Sequence, residues 1–233
     1  EPSLVARGIH VFSNASAFRR IAGIPLVIPE INPEDMNSYD GHACATNCTV
    51  VPVVTPMIGM KSLGIKSVTI RTRQALSGAG WKLLFDAEAL SGNVNPFIPQ
   101  EEEKLIAELK YLLGIDVPVI ASCNRVSERD GHFVSVGVEL SRETTVEEVE
   151  ELMKIPTLGL PSSPKLVNEI IDDSPTRQEY LWNGNGMTTT VGNIRVEGNI
   201  VRYDALSHNT VRGAAGGVIL LAEFAVQESY ITK

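Results

Sequence analysis

The chain has 233 residues, 43% hydrophobic and 21% charged, enough for a real core but short for two full domains. Its 28 acidic and 20 basic residues leave a net charge of −8, which argues against a nucleic-acid partner, because phosphate backbones are met by basic faces. No apolar run is long enough to span a bilayer, so no membrane partner is expected, and the three cysteines (Cys44, Cys48, Cys123) fit a reducing cytoplasm better than a disulfide framework.

After a short helical turn behind Glu1-Pro2-Ser3, the apolar run within residues 8–13 predicts a buried strand. Leu26-Val27-Ile28 reads as another short strand closed by Pro29, and residues 31–46 as loop. A helix is expected from Thr49 to about Met60, with Cys48 at its start and Pro56 as a kink. Ile65–Arg71 alternates like a half-buried strand. Glu101–Leu113 predicts an amphipathic helix, with three glutamates in its first turn and Gly114 as its stop. Phe133–Leu140 alternates as a strand, and Thr144 with Glu147 reads as a capping box for a helix to Lys154. Met187–Val196 and Ile200–Leu206 predict two strands joined at Gly198-Asn199. Thr210–Val226 predicts a closing helix, its Gly216–Val226 portion buried. Strands and helices without regular βαβ alternation point to an α+β fold: a mixed, mainly antiparallel sheet covered by helices on one face.

Several strings carry candidate chemistry, each beside a plainer reading. Asn47-Cys48-Thr49 at a helix head would favour a thiolate and offer N–H donors to an oxyanion, with the Asn47 amide as another; a free cysteine is also a small buried hydrophobe. His132, after the Asp130-Gly131 turn, is either an acid/base partner for that thiol or a surface turn residue. Arg125, in an apolar strand, needs a carboxylate from the protein or from a substrate. Gln74–Gly80 is either a tight loop or a small-residue ligand wall, and His208–Gly216 reads first as a packing segment. No C-x-x-C, paired-histidine, G-x-S-x-G or G-x-G-x-x-G pattern occurs, so no metal site, serine hydrolase or complete dinucleotide fingerprint is expected.

In order and spacing, Ser13–Arg19, Pro25–Asn32, Asn47-Cys48-Thr49, Gln74–Gly80, Ser122–His132, Gly184–Met187 and His208–Gly216 resemble aspartate-semialdehyde dehydrogenases, above all the archaeal and fungal branch. The resemblance implies the C-terminal domain fold shared with glyceraldehyde-3-phosphate dehydrogenase, plus a remnant of a Rossmann domain. It divides the chain into 1–46 (remnant and connection), 47–206 (catalysis and dimerisation) and 207–233 (a helix packing back toward the nucleotide domain). It implies NADP-linked interconversion of 4-phospho-L-aspartate and L-aspartate 4-semialdehyde in a cytoplasmic homodimer or homotetramer.

The resemblance also assigns roles. Cys48 is the nucleophile, His132 the acid/base, Gln74 the group that orients the acyl intermediate, and Asn47 the oxyanion donor. Arg125 takes the substrate carboxylate, Glu101 the amino group, and Lys104 and Arg19 the phosphate. Asn209, Ser77 and Gly78 lie on the coenzyme side. Ala45-Thr46 replaces the family's usual Asn-Pro before Asn-Cys, and Trp81-Lys82 replaces a tyrosine-led segment; the resemblance leads one to expect most of the family's nucleotide domain to lie outside these residues. Malonyl- or succinyl-CoA reduction on the same scaffold, or a silent assembly module, are the competing readings. For Glu101 and Lys104 a plain i,i+3 surface ion pair is the alternative.

Overall fold

The structure, a computed structural model, describes residues 1–231. Helices α1 (Pro2–Val5), α2 (Val51–Met57), α3 (Trp81–Leu84), α4 (Ala87–Leu90), α5 (Glu101–Leu113), α6 (Val146–Met153), α7 (Arg177–Tyr180) and α8 (Gly216–Gln227) accompany eight strands. These are β1 (Val11–Ser13), β2 (His42–Cys44), β3 (Ile65–Gln74), β4 (Val119–Arg125), β5 (His132–Leu140), β6 (Asn168–Ile170), β7 (Thr189–Glu197) and β8 (Ile200–Ser207). Six of them form one sheet in the order β4-β3-β5-β8-β7-β6. The central pairings are antiparallel, and the two edge strands β4 and β6 join in parallel. The fold is therefore α+β with a mixed sheet, as the pattern of elements predicts.

Alternation along β3 sets the layering. Val68, Ile70, Thr72 and Gln74 are buried, while Lys66, Thr69, Arg71 and Arg73 point to solvent. Over the buried face lie Val53, Val54 and Met57 of α2, Leu105 and Leu109 of α5, and Val149 and Met153 of α6. The opposite face stays uncovered and polar, with Arg71, Ser135, Arg195, Arg202 and Asp204 around a shallow hollow. A second, two-stranded parallel sheet joins β1 to β2, and α8 lays Leu221, Phe224 and Ala225 against Val27, Met36 and Ala43 beside it.

Four local expectations need correction. The helix expected over 49–60 is α-helical only for Val51–Met57, then tightens to a 3-10 helix over Ile58–Leu63. Pro56, which lacks an N–H, sits just before this change of pitch. Asn168 Nδ2 donates to the Thr55 carbonyl and Tyr203 Oη to the Val53 carbonyl close by. The cap of α6 is Thr145, whose hydroxyl accepts from the Glu148 N–H at 3.3 Å, while the Thr144 hydroxyl donates to the Glu148 carboxylate at 2.6 Å. Within the expected loop 31–46 lies β2, too short to show periodicity, and Leu26 contributes only a bridge to Cys44. The closing segment opens as a π-turn over Val211–Ala215 before α8, and it is not buried all round: Ile219 and Val226 are 52% and 56% exposed.

Candidate active site

Sheet topology gathers residues distant in sequence. β3 and β4 run parallel, so their C-terminal residues Gln74 and Arg125 are ladder partners. β5 runs the other way and brings its first residue, His132, to the same end; β8 delivers Ser207 opposite it, and Asn209 follows. The turn before α2 and the first turns of α5 complete the wall. A cleft of about 480 Å³ results, lined by Asn47, Cys48, Gln74, Glu101, Arg125 and Asn209 among others. That volume lies within the range usual for small-molecule sites.

Cys48 stands in the turn 48–50, one turn ahead of Val51, rather than in α2 itself. Asn47 shapes that turn: its side-chain Oδ1 accepts from the Thr49 N–H at 2.8 Å. The Cys48 sulfur lies 3.3 Å from His132 Nε2. On the far side of the ring, the Ala75 N–H donates to His132 Nδ1 at 3.2 Å. An Nδ1 that accepts leaves the neutral ring its proton on Nε2, facing the sulfur. Burial, with Arg125 and Arg177 nearby, pushes His132 down to about 3. Burial and the Glu101 charge push the Cys48 thiol up to about 11, against the pull of Arg19. The resting pair is thus thiol and neutral imidazole, so the lowered thiol pKa expected from a helix head is not found. Desolvation outweighs the dipole of a helix that starts three residues later.

The other predicted residues surround this pair. Glu101 is buried, and its Oε1 accepts from Asn47 Nδ2 (3.0 Å), Thr49 Oγ1 (3.1 Å) and Gln74 Nε2 (3.1 Å). The surface pair Glu101–Lys104 is not among the ion pairs of the described residues; Lys104 instead lines the cleft. Arg125 is buried too, and its Nη1 donates to the Ala75 carbonyl at 2.6 Å. No carboxylate of the described residues forms an ion pair with it, so the open question about its partner turns toward a ligand. Arg19 lines the cleft but leans on Glu108 at 3.5 Å. Asn209 ties loops together: its Nδ2 donates to Ser77 Oγ (2.8 Å) and its Oδ1 accepts from the Gly131 N–H (2.7 Å). Gly78 packs so close that a Cβ would sit 2.9 Å from both Arg125 Nη1 and His132 Cε1.

Sequence reasoning misses Glu108 and reads Gly213 and Arg212 only as part of a packing segment. Glu108, seven residues after Glu101 and so on the same face of α5, accepts from the Asn47 N–H at 2.6 Å. A glutamate amid an apolar helical stripe is the signal that was available. Gly213 backs the nucleophile: a Cβ there would lie 2.5 Å from Cys48 Cβ. Beside it Arg212 pairs with Glu30 at 2.9 Å, the side chains only 2% and 1% exposed, which fixes the π-turn to the loop behind the site.

A half-buried thiol beside an imidazole, flanked by amides and by a guanidinium with no ion-pair partner among the described residues, is an arrangement chemically suited to carrying an acyl group on cysteine. The comparisons narrow that class. Residues 54–212 match the family described as "Semialdehyde dehydrogenase, dimerisation domain". An aspartate-semialdehyde dehydrogenase from Archaeoglobus fulgidus is 40% identical, covering 99% of this chain and 74% of that protein. One from Aspergillus fumigatus is 33% identical over the same shares. The crystal structure of aspartate semialdehyde dehydrogenase with NADP from Candida albicans superposes with TM-score 0.79 at 29% identity, covering 99% of this chain and 74% of that one. A malonyl CoA reductase (NADP) from Metallosphaera sedula stands further off, at 28%. The chain belongs to the aspartate-semialdehyde dehydrogenase family.

Proposed function

We propose that this chain carries the catalytic machinery of an NADP-linked enzyme that reversibly converts 4-phospho-L-aspartate and L-aspartate 4-semialdehyde. The observation that carries this reading is the Cys48–His132 contact of 3.3 Å in a cleft whose Arg125 has no ion-pair partner among the described residues. Arg125 takes the substrate α-carboxylate as a planar fork. The Glu101 oxygen not engaged by the amides receives the amino group. Lys104 and Arg19 receive the phosphate.

Cys48 Sγ bonds to the acyl carbon while the C–O bond to phosphate breaks, and the thiol proton leaves with the phosphate. Asn47 and Gln74, both anchored on Glu101, hold the acyl oxygen's surroundings fixed. Residues that would meet the nicotinamide end of NADP fit it: Gly78, Ala79, Gly213 and Ala214 give a wall without bulk, with the Asn209–Ser77 pair at its edge. When bound, NADPH supplies a hydride to the thioester carbon. His132, whose Nε2–H faces the sulfur, is set to hold the departing thiolate by a hydrogen bond until the sulfur takes a proton from solvent.

We place the dimer contact on the polar, uncovered face of the six-stranded sheet, which lies opposite the helices and away from the cleft. Among the described residues no helix is long and apolar enough to cross a membrane. A cytoplasmic setting is part of the proposal. The test is turnover by the complete native protein: NADP reduction with L-aspartate 4-semialdehyde and phosphate supports the reading. Reduction of malonyl-CoA with no aspartyl activity would replace it with the CoA-ester alternative.

A further inference from the structure

The mechanism above has no use for Glu108, yet no carboxylate of the site is more deeply enclosed. It is 3% exposed, on the inner face of α5. Its Oε2 accepts a short bond, 2.6 Å, from the Asn47 N–H, the peptide just before the nucleophile. Its Oε1 meets Arg19 Nη1 at 3.5 Å, well beyond the 2.7–2.9 Å of a good charge-assisted bond. Arg19 Nη2 donates to the Asn14 carbonyl at 2.8 Å. Arg19 Nε is buried and has no hydrogen-bond partner among the described residues. The guanidinium is therefore held firmly through Nη2, loosely through Nη1 and not through Nε, while its side chain lines the cleft beside Cys48 and Lys104.

A buried guanidinium with a bare donor is costly unless an acceptor arrives. The bare Nε lies on the fork edge it shares with Nη2, and the loosely held Nη1 on the other edge, so each edge of the guanidinium fork keeps one donor within reach of a phosphate oxygen. A carboxylate sharing that fork competes with the phosphate for it. We infer that Glu108 is a positioning residue that holds Arg19 in reserve, fixes the Asn47 peptide with its other oxygen, and speeds phosphate departure by reclaiming the guanidinium. The inference rests on the reading of Arg19 as a phosphate-binding residue. It makes phosphate affinity a compromise, with Glu108 weakening it so that the leaving group does not linger.

The experiment measures how inorganic phosphate protects Cys48 of the complete native protein from iodoacetamide, which needs neither turnover nor nucleotide. Glu108→Gln keeps an oxygen for the Asn47 N–H and removes the charge. The expected result is phosphate protection at roughly tenfold lower concentration, with slower phosphate release in turnover. In an Arg19→Gln background the same substitution is expected to change nothing, because the competition has lost its object. Unchanged or weaker protection in Glu108→Gln overturns the proposal, as does a gain that persists without Arg19. Arg19→Gln with normal phosphate protection instead overturns the reading of Arg19 on which the proposal stands. Should Glu108→Gln not fold, Arg19→Lys decides: it keeps a charge for Glu108 but lacks the fork, so protection should weaken tenfold or more, and wild-type protection sinks the reserve-donor idea.

Discussion

Replacing Gly213 by alanine tests how tightly the nucleophile is seated. The added Cβ would lie 2.5 Å from Cys48 Cβ, 2.8 Å from Cys48 Cα and 3.2 Å from the Cys48 carbonyl oxygen. Ordinary carbon contacts begin near ~3.5 Å, so the two segments must part by about 1 Å. Neither side yields freely. The Cys48 turn is pinned through Asn47 and Thr49, and the Gly213 turn through the buried Arg212–Glu30 pair. A displacement of about 1 Å at a reacting centre costs about 100-fold in rate, or about 2.7 kcal/mol. Overpacking itself should cost about 1–3 kcal/mol of stability. The assay is kcat and KM of the complete native protein beside a thermal melt. The expected result is kcat down about 100-fold with KM moved far less, in a protein that still melts cooperatively. An active Gly213→Ala enzyme, within a few-fold of wild type, would refute the claim that the π-turn sets the position of Cys48.

Other consequences follow from the same geometry. With the Cys48 thiol pushed up to about 11 and His132 down to about 3, alkylation of Cys48 should climb steadily from pH 7 into the alkaline range. A plateau near neutrality would mean an ion pair instead. Cys48 should still label before Cys44 and Cys123, which are buried; equal rates for the three would contradict its accessibility. Arg125→Lys should raise KM for the aspartyl substrate roughly tenfold or more with a smaller effect on kcat, since a point charge cannot replace a fork. His132 also makes a stability prediction. Its folded pKa lies below the unfolded value, so the unfolded chain binds more protons in the intervening window. Stability should therefore fall as pH drops from about 6.5 toward about 3, by roughly 1.4 kcal/mol per pH unit at most from this residue. His132→Asn should flatten that part of an acid-unfolding curve; an unchanged slope would mean the ring is not buried neutral.

Much of this was legible in the sequence wherever periodicity is long. Glu101–Leu113, with acidic first turn and glycine stop, is reproduced residue for residue, and β5 and the β7–β8 hairpin are displaced by only a residue or two at their ends. Short elements were not legible: β2 has three residues, all buried, and its pattern cannot be told from a loop. The Cys48–His132 meeting followed from resemblance, not periodicity, because it depends on β5 entering the sheet antiparallel beside β3. The least visible facts were electrostatic. Spacing alone leaves Glu101 and Lys104 an i,i+3 surface pair as the alternative to the substrate roles the resemblance implies; in the fold Glu101 turns inward to Asn47, Thr49 and Gln74, where three donors meet it. The thiol's raised pKa was equally hidden, since enclosure arises from the whole packed end of the sheet.

The account stands on acyl transfer to Cys48. Incubating the complete native protein with L-aspartate 4-semialdehyde and NADP, with phosphate withheld, should stall the reaction at the thioester. Acid quenching and peptide mass spectrometry should then find a single aspartyl adduct, on the peptide carrying Cys48, that disappears when phosphate is added before the quench. An adduct on Cys44 or Cys123, or NADP reduction with no adduct on any cysteine, would contradict it.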